Sequence, residues 1–256
     1  LPRLRDNSAG VDASPNARDL FDDWSGAGLR SWRTYLAVAE GAMGSAVHAI
    51  DVSDPLQPQL RWQRGTSSAD GGVPLGGARG ATWGLVAAAG VPGVSSAAVV
   101  ATSRPEPGAK GFLVAALSGR DGRALWSFRG DYSRSVPGGG ALVPNDIPAP
   151  PALADRARSG VEDTVYVGDY EGKLWELATG LGSNSAGAGP LFDVGPTPEG
   201  HVQPIGAPLA LYRDRSNGHL VVLAVTGGAD WAAPGDSYAL YAIDVDDGTF
   251  GTSAAF

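Results

Sequence analysis

Cysteine and histidine, which carry much of the chemistry of enzymes, are scarce in this chain of 256 residues. It has no Cys, so it contains neither a disulfide framework nor a thiolate ligand. Its three histidines, His48, His201 and His219, lie far apart in the sequence, and no serine-hydrolase or zinc-protease motif accompanies them. We interpret each as a structural histidine with a polar partner, and we predict that the chain is not an enzyme.

One tripeptide indicates binding rather than catalysis. Arg129, Gly130 and Asp131 form an Arg-Gly-Asp sequence directly after a predicted outer strand. On an exposed loop this tripeptide can engage integrins, so it is a candidate adhesion motif. The alternative is a chance occurrence in a chain rich in these three residues. The Gly-rich stretches at 71–72, 76–77 and 138–140 do not lie between a strand and a helix, so they predict loops rather than phosphate sites.

The composition predicts an all-β protein. The chain contains 38 Gly and 19 Pro, which interrupt helices, while 43% of it is hydrophobic and falls into short runs between turn residues. Its net charge is −8 and no basic patch is visible, so we expect no nucleic-acid partner. No apolar run reaches about 18 residues, so we expect no membrane insertion.

A β-rich unit recurs four times. Its aliphatic strand appears at 47–51, 113–117, 174–177 and 240–244, and Ile50, Leu117, Leu177 and Ile243 in these strands are 67, 60 and 66 residues apart. The repeat units cover approximately 10–65, 80–130, 145–196 and 203–248, each with up to four strands. The inner strand of the first unit is expected within 10–21, and the outer strand of the fourth is weak.

The repeat favours a β-propeller of about four blades, each with four antiparallel strands. A sheet with apolar residues on both faces is stable only when other sheets cover both, and radial packing achieves this. A β-sandwich is the alternative, but it has no reason to repeat at this interval. We expect residues 1–256 to form a single propeller or a fragment of one, and the four blades to make a small ring or belong to a larger one.

Several segments resemble the C-terminal propeller of the PilY family of type IV pilus tip adhesins and biogenesis factors. They occur in the family's order between about residues 11 and 247. The segments are VDASP at 11–15, WRTYLAV at 32–38, AIDVSDP at 49–55, NDIPAPP at 145–151, VYVGDYEGKLW at 165–175, QPI at 203–205 and TGG at 226–228.

The resemblance implies a non-enzymatic, pilus-associated protein that acts in pilus assembly and surface adhesion. It implies minor pilins or the pilus tip complex as partners, together with host or abiotic surfaces. The implied location is the cell surface or pilus tip, reached through the periplasm.

The resemblance also implies a calcium site, because the family often carries an Asp-x-Asn-x-Asp-Gly-type loop before the VYVGD strand. The matching residues here are 155–163, in which Asp155, Ser159, Gly160 and Asp163 keep part of the pattern. Ala157 provides no oxygen at the third position, and calcium needs about six to eight oxygen ligands. We therefore expect either a degenerate calcium site at Asp155, Ser159 and Asp163 or a plain loop without a cofactor.

Two other functions remain open. The segment LSGRDGRALW at 117–126 resembles the repeat of quinone-dependent dehydrogenases, but those enzymes commonly stack adjacent cysteines on the cofactor and this chain has none. A periplasmic scaffold propeller would share the generic repeat without the WRTYLAV and NDIPAPP segments.

Overall fold

The structure is a computed structural model that describes residues 11, 13–41, 46–65, 78–87, 95–103, 112–130, 145–179, 190–198, 200–227 and 238–253. Within these ranges the chain forms sixteen β-strands. No helix found there is long and apolar enough to cross a membrane.

The strands form four antiparallel sheets of four, and in each sheet the strands lie side by side in chain order. The first sheet consists of β1 (Asn16–Asp22), β2 (Ser31–Ala39), β3 (Val47–Asp51) and β4 (Gln59–Arg64). The second consists of β5 (Ala78–Ala87), β6 (Ser95–Ser103), β7 (Phe112–Ser118) and β8 (Ala124–Gly130). The third consists of β9 (Ala152–Ala154), β10 (Thr164–Gly168), β11 (Lys173–Ala178) and β12 (Phe192–Asp193). The fourth consists of β13 (Ala210–Arg213), β14 (Leu220–Val225), β15 (Leu240–Asp244) and β16 (Phe250–Ser253).

Three of the hairpins use the same glycine-dependent turn. In the β7–β8, β13–β14 and β15–β16 connections, the first turn residue donates its N–H to the carbonyl five residues later. The fifth residue of each turn is Gly122, Gly218 or Gly248, with φ of 70°, 77° and 74°. Glycine adopts this left-handed conformation without steric cost, so the sequence fixes where each hairpin reverses.

Each sheet packs face to face on the next. Strand β7 illustrates why its residues form a continuous apolar run. Leu113, Ala115 and Leu117 point into a hydrophobic cluster shared with the first sheet. Phe112 and Val114 point into a second cluster, shared with the third sheet. A third cluster joins the third and fourth sheets, so each sheet behaves as one blade of a radial array.

Tryptophan side chains fill the interfaces between neighbouring blades. Trp62, Trp126 and Trp175 are 6%, 7% and 0% exposed, and they lie in the clusters between neighbouring blades. Trp32, by contrast, is 69% exposed on the first blade. Trp231 lies outside the described residues. The four predicted repeat units thus correspond to four blades with interblade cores rich in aromatic side chains.

Candidate functional site

The predicted calcium-type segment is a loop between two strands of the third blade. We call it the Asp155 loop (residues 155–163); it follows β9 and precedes β10. The carboxylate of Asp155 accepts hydrogen bonds from the backbone N–H groups of Ser159 at 2.7 Å and Gly160 at 2.6 Å. The Asp155 side chain therefore stabilises the turn at residues 155–160 by binding its backbone.

Asp163 holds the loop from its other end. Its carboxylate accepts hydrogen bonds from the backbone N–H groups of Arg156 at 2.9 Å and Ala157 at 2.8 Å, and from the Thr164 hydroxyl at 2.8 Å. Partial burial opposes ionisation, but the hydrogen bonds prevail and lower the pKa of Asp163 below its usual value. Asp163 is thus a charged anchor of the loop at neutral pH.

The donor set of the loop fits a calcium ion poorly. Calcium takes about six to eight oxygen ligands, whereas all four carboxylate oxygens of Asp155 and Asp163 already face hydrogen-bond donors of the chain. Ala157 has no side-chain oxygen, and the Ser159 hydroxyl lies 3.4 Å from Asp155 Oδ1. Calcium binding by Asp155, Ser159 and Asp163 stays a prediction.

A cation of the chain itself, the guanidinium of Arg156, connects this loop to the fourth blade. It lies 2.7 Å from Glu176 Oε1 on β11 and 3.0 Å from Asp246 Oδ1 beyond β15. It also donates a hydrogen bond to the carbonyl of Val245 at 2.6 Å. Partial burial opposes the charge, but the two carboxylates raise the pKa of Arg156. The loop therefore joins the third and fourth blades through an arginine.

A cleft of about 430 Å³ lies beside the loop, between the third and fourth blades. Its wall includes Asp155, Arg158 and Arg213. Arg158 donates to the carbonyl of Gly218 at 2.7 Å, and Arg213 donates to the carbonyl of Asp155 at 2.8 Å. Because both guanidinium groups already bind backbone carbonyls, the cleft is primarily an interblade junction.

The Arg-Gly-Asp tripeptide begins within a strand and not after one. Arg129 and Gly130 are the last two residues of β8, and Asp131 lies outside the described residues. Arg129 is exposed, but Gly130 is buried against Phe112, whose ring atoms would lie 2.5 Å from a side-chain Cβ at this position. The adhesive role of Arg129, Gly130 and Asp131 stays a prediction.

Comparisons with known proteins connect this architecture to a family. No protein-family model matches the chain. The chain is 29% identical over 173 residues to the type IV pilus biogenesis factor PilY1 of Pseudomonas aeruginosa, in both strain PAO1 and strain PAK. The aligned part is 65% of this chain but only 12% of PilY1.

The crystal structure of the P. aeruginosa PilY1 C-terminal domain matches 91% of this chain, with a TM-score of 0.68 and 23% identity. The resemblance to the PilY family is confirmed. The match covers 49% of the PilY1 domain, so the four blades correspond to about half of it. The β-propeller fold is confirmed with it. BamB from Moraxella catarrhalis is less similar, with a TM-score of 0.48 and 14% identity over 95% of this chain and 53% of BamB.

The PilY-like segments of the C-terminal half meet in one place. Asp169, from VYVGDYEGKLW, accepts a hydrogen bond from Asn145 Nδ2 of NDIPAPP at 3.0 Å, and its carbonyl accepts one from the N–H of Ile205 of QPI at 2.9 Å. Gly227 of TGG donates its N–H to the carbonyl of Pro204 at 2.7 Å. These segments therefore build the interior of the third blade and its junction with the fourth.

Asp169 is the centre of this junction. Its side chain is fully buried and accepts four hydrogen bonds, from Trp175 Nε1, Asn145 Nδ2 and the backbone N–H groups of Glu171 and Lys173. Burial raises the pKa of Asp169 to about 6, against the lowering effect of these donors. The network has a structural role in the blade, because its atoms are enclosed and its donors converge on one carboxylate.

His48 and His219 each have a carboxylate partner in the structure. His48 Nε2 lies 3.0 Å from Glu40 Oε1, and His219 Nδ1 lies 2.8 Å from Asp244 Oδ2. Both agree with the interpretation of structural histidines with polar partners. The sequence did not indicate that His219, Asp244 and Asp247 would converge at one point of the fourth blade.

Proposed function

We propose that this chain is a non-enzymatic, type IV pilus-associated protein that acts in pilus assembly and surface adhesion. The observation that carries this proposal is the match of 91% of the chain to the PilY1 C-terminal domain, together with 29% identity over 173 residues to the biogenesis factor itself. The chain corresponds to a small part of PilY1, so the activity of the whole protein is extended to it as a hypothesis.

The proposed partners are minor pilins or other proteins of the pilus tip, and the proposed location is the cell surface, reached through the periplasm. A propeller suits this role, because a rigid array of blades presents loops from many strands on its two rims. The net charge of −8 favours partners with basic or neutral surfaces over acidic ones.

We further propose that these four blades belong to a larger propeller. The match covers 49% of the PilY1 domain. The outward face of the first blade also carries apolar side chains that the described residues leave open, since Trp32 is 69% exposed and Phe21 beside it is 41% exposed. A further blade would cover such a face, as the second blade covers the opposite one.

The test is an in-frame deletion of the segment encoding residues 11–253 in the bacterium that carries the gene. Pili in sheared surface fractions are counted by electron microscopy, attachment to glass and to host cells is measured, and an immunoblot confirms that the remaining protein is made. Fewer pili would support a role in assembly, and unchanged pili with weaker attachment would support a role in adhesion. Unchanged pili and unchanged attachment would overturn the proposal.

A further inference from the structure

Three side chains of the types that bind metals lie close together at the turns of the fourth blade. His219 precedes β14, Asp244 ends β15, and Asp247 lies in the β15–β16 turn. His219 Nδ1 lies 2.8 Å from Asp244 Oδ2 and 4.0 Å from Asp247 Oδ2. All three ligand atoms lie within 4.8 Å of one another. We call these residues the His219 cluster.

The backbone orients both carboxylates of the cluster. Asp244 Oδ1 accepts hydrogen bonds from the N–H groups of Asp246 at 3.0 Å and Asp247 at 3.3 Å. Asp247 Oδ1 accepts hydrogen bonds from the N–H of Thr249 at 2.8 Å and its hydroxyl at 2.6 Å. One oxygen of each carboxylate is thereby fixed, and the other faces the imidazole. Supporting hydrogen bonds of this kind orient the ligands in metal sites.

The charged groups around the cluster leave it acidic. Asp246 and Asp214 add negative charge near His219. The nearby cation Arg156 is held by Glu176 and by Asp246 Oδ1. Two further basic groups of this junction, Arg158 and Arg213, both donate to the backbone carbonyl of Gly218. The partners of these three cations thus lie beside the cluster.

We propose that His219 Nδ1, Asp244 Oδ2 and Asp247 Oδ2 bind one divalent transition-metal ion, such as Zn²⁺ or Cu²⁺, with water completing its coordination. One imidazole and two carboxylates suit these borderline ions, whereas calcium takes oxygen ligands only. Ligands at about 2.0–2.2 Å from a tetrahedral zinc lie roughly 3.4 Å apart. The separations of 2.8 and 4.0 Å between His219 Nδ1 and the two carboxylate oxygens bracket this value, and all three atoms lie within 4.8 Å of one another. Side-chain shifts of about an ångström are therefore sufficient to bring the three ligands to a tetrahedral ion.

A proton competes with the metal for the same nitrogen. The hydrogen bond to Asp244 and the nearby carboxylates raise the pKa of His219 above its usual value. Metal affinity should increase with pH in any case, because an imidazole must lose its proton before its nitrogen can coordinate a metal.

The experiment titrates Cu²⁺ and Zn²⁺, each alone, into the metal-free protein, purified without a histidine tag, at pH 7.5 and pH 5.5. We expect one ion per chain, with binding at least tenfold weaker at the lower pH. The electron paramagnetic resonance spectrum of bound Cu²⁺ should show one imidazole nitrogen. The absence of Cys means that no thiolate can bind in its place.

Two variants and one matched control complete the test. His219→Gln should abolish binding, and Asp247→Asn, in an exposed turn, should weaken it about tenfold even if the first variant folds poorly. His201→Gln replaces an exposed histidine outside the cluster and should bind like the wild type. Absence of binding at 100 µM metal, or wild-type affinity in both His219→Gln and Asp247→Asn, would overturn the proposal.

Discussion

Trp62, in the outer strand of the first blade, donates its indole N–H to the backbone carbonyl of Gly119 in the second blade at 2.9 Å. Trp126 holds the equivalent position one blade later. Each tryptophan pairs with an alanine, Ala49 or Ala116, directly before a β-bulge. The indole N–H of Trp126 is buried, however, and has no hydrogen-bond partner among the described residues.

This difference predicts unequal effects of the same substitution. Trp62→Phe removes ring volume and leaves the buried carbonyl of Gly119 without its donor. Trp126→Phe removes the same volume together with an unsatisfied N–H group. We expect Trp62→Phe to lower the free energy of unfolding by about 1 kcal/mol more than Trp126→Phe, the net value of one hydrogen bond. Urea unfolding followed by circular dichroism measures both.

The comparison between the two variants cancels the cost of the smaller ring, because the two side chains are similarly buried at 6% and 7% exposure. Equal losses for the two variants would contradict a stabilising role of the interblade hydrogen bond.

Arg156 predicts a second interblade contribution. Arg156→Ala removes contacts with Glu176, Asp246 and the Val245 carbonyl. The group is about one-third exposed, so we expect a loss of about 2 kcal/mol, between the values for exposed ion pairs and for hydrogen bonds to charged groups. Arg156→Lys should recover only part of it, because an ammonium cannot make the forked contact.

The matched control for this prediction is Arg120→Ala. Arg120 lies 4.0 Å from Asp121, and both side chains are about half exposed, so the expected change is below about 0.5 kcal/mol. Urea is used as the denaturant because it is uncharged, so the ionic strength that screens the ion pairs stays constant. A loss for Arg156→Ala no larger than that for Arg120→Ala would show that the loop does not join the blades energetically.

The sequence predicted the blades because their central strands repeat a clear apolar pattern. The ends of blades were harder to predict, for physical reasons. Strand β16 (Phe250–Ser253) has only four residues, and its one large apolar side chain, Phe250, is 60% exposed. Its sequence therefore shows little alternation of apolar and polar residues. The first strand of the third blade, β9, has only three residues (Ala152–Ala154), because the prolines at 148, 150 and 151 before it cannot donate to a ladder.

The candidate sites differ in how far apart their residues lie in the sequence, and this decides which of them could be predicted. The Asp155 loop was recognisable because Asp155 and Asp163 lie eight residues apart in one segment. The contact of Arg156 with Asp246 spans 90 residues, and the His219 cluster joins two different hairpins. No local spacing encodes such contacts. The first forms only when the third and fourth blades pack against each other, and the second only when the two hairpins pair within the fourth blade.

The Asp155 loop predicts a stability effect that does not depend on calcium. Asp155→Ala removes the acceptor of the Ser159 and Gly160 N–H groups, so we expect a loss of about 1–2 kcal/mol in EDTA. Asp155→Asn keeps one acceptor oxygen and should lose less. Thermal unfolding in 5 mM calcium and in 5 mM EDTA measures the effect; a wild-type stabilisation by calcium that Asp155→Ala abolishes would instead support the calcium site.

The buried carboxyl group of Asp169 should make the free energy of unfolding fall as the pH rises, whereas a carboxylate with a lowered pKa makes it rise. Burial raises its pKa to about 6 in the folded chain, against a usual value of 3.8. Its contribution to stability is therefore complete below pH 3.8 and is lost as the pH rises towards 6. A pKa difference of about two corresponds to roughly 3 kcal/mol over the whole titration, so the free energy of unfolding should fall by about 2 kcal/mol between pH 4 and pH 6.5.

The control is Asp169→Asn, which cannot titrate. The amide has one acceptor oxygen for the four donors that converge here, so we expect it to be less stable than the wild type at pH 4. Its stability should then lack the decrease towards pH 6.5. Asp163 and Asp51, whose pKa values are lowered, lose their contributions only below this window, and subtracting the two profiles cancels the histidines. Parallel profiles for wild type and variant would mean that Asp169 is ionised throughout, held so by its four donors.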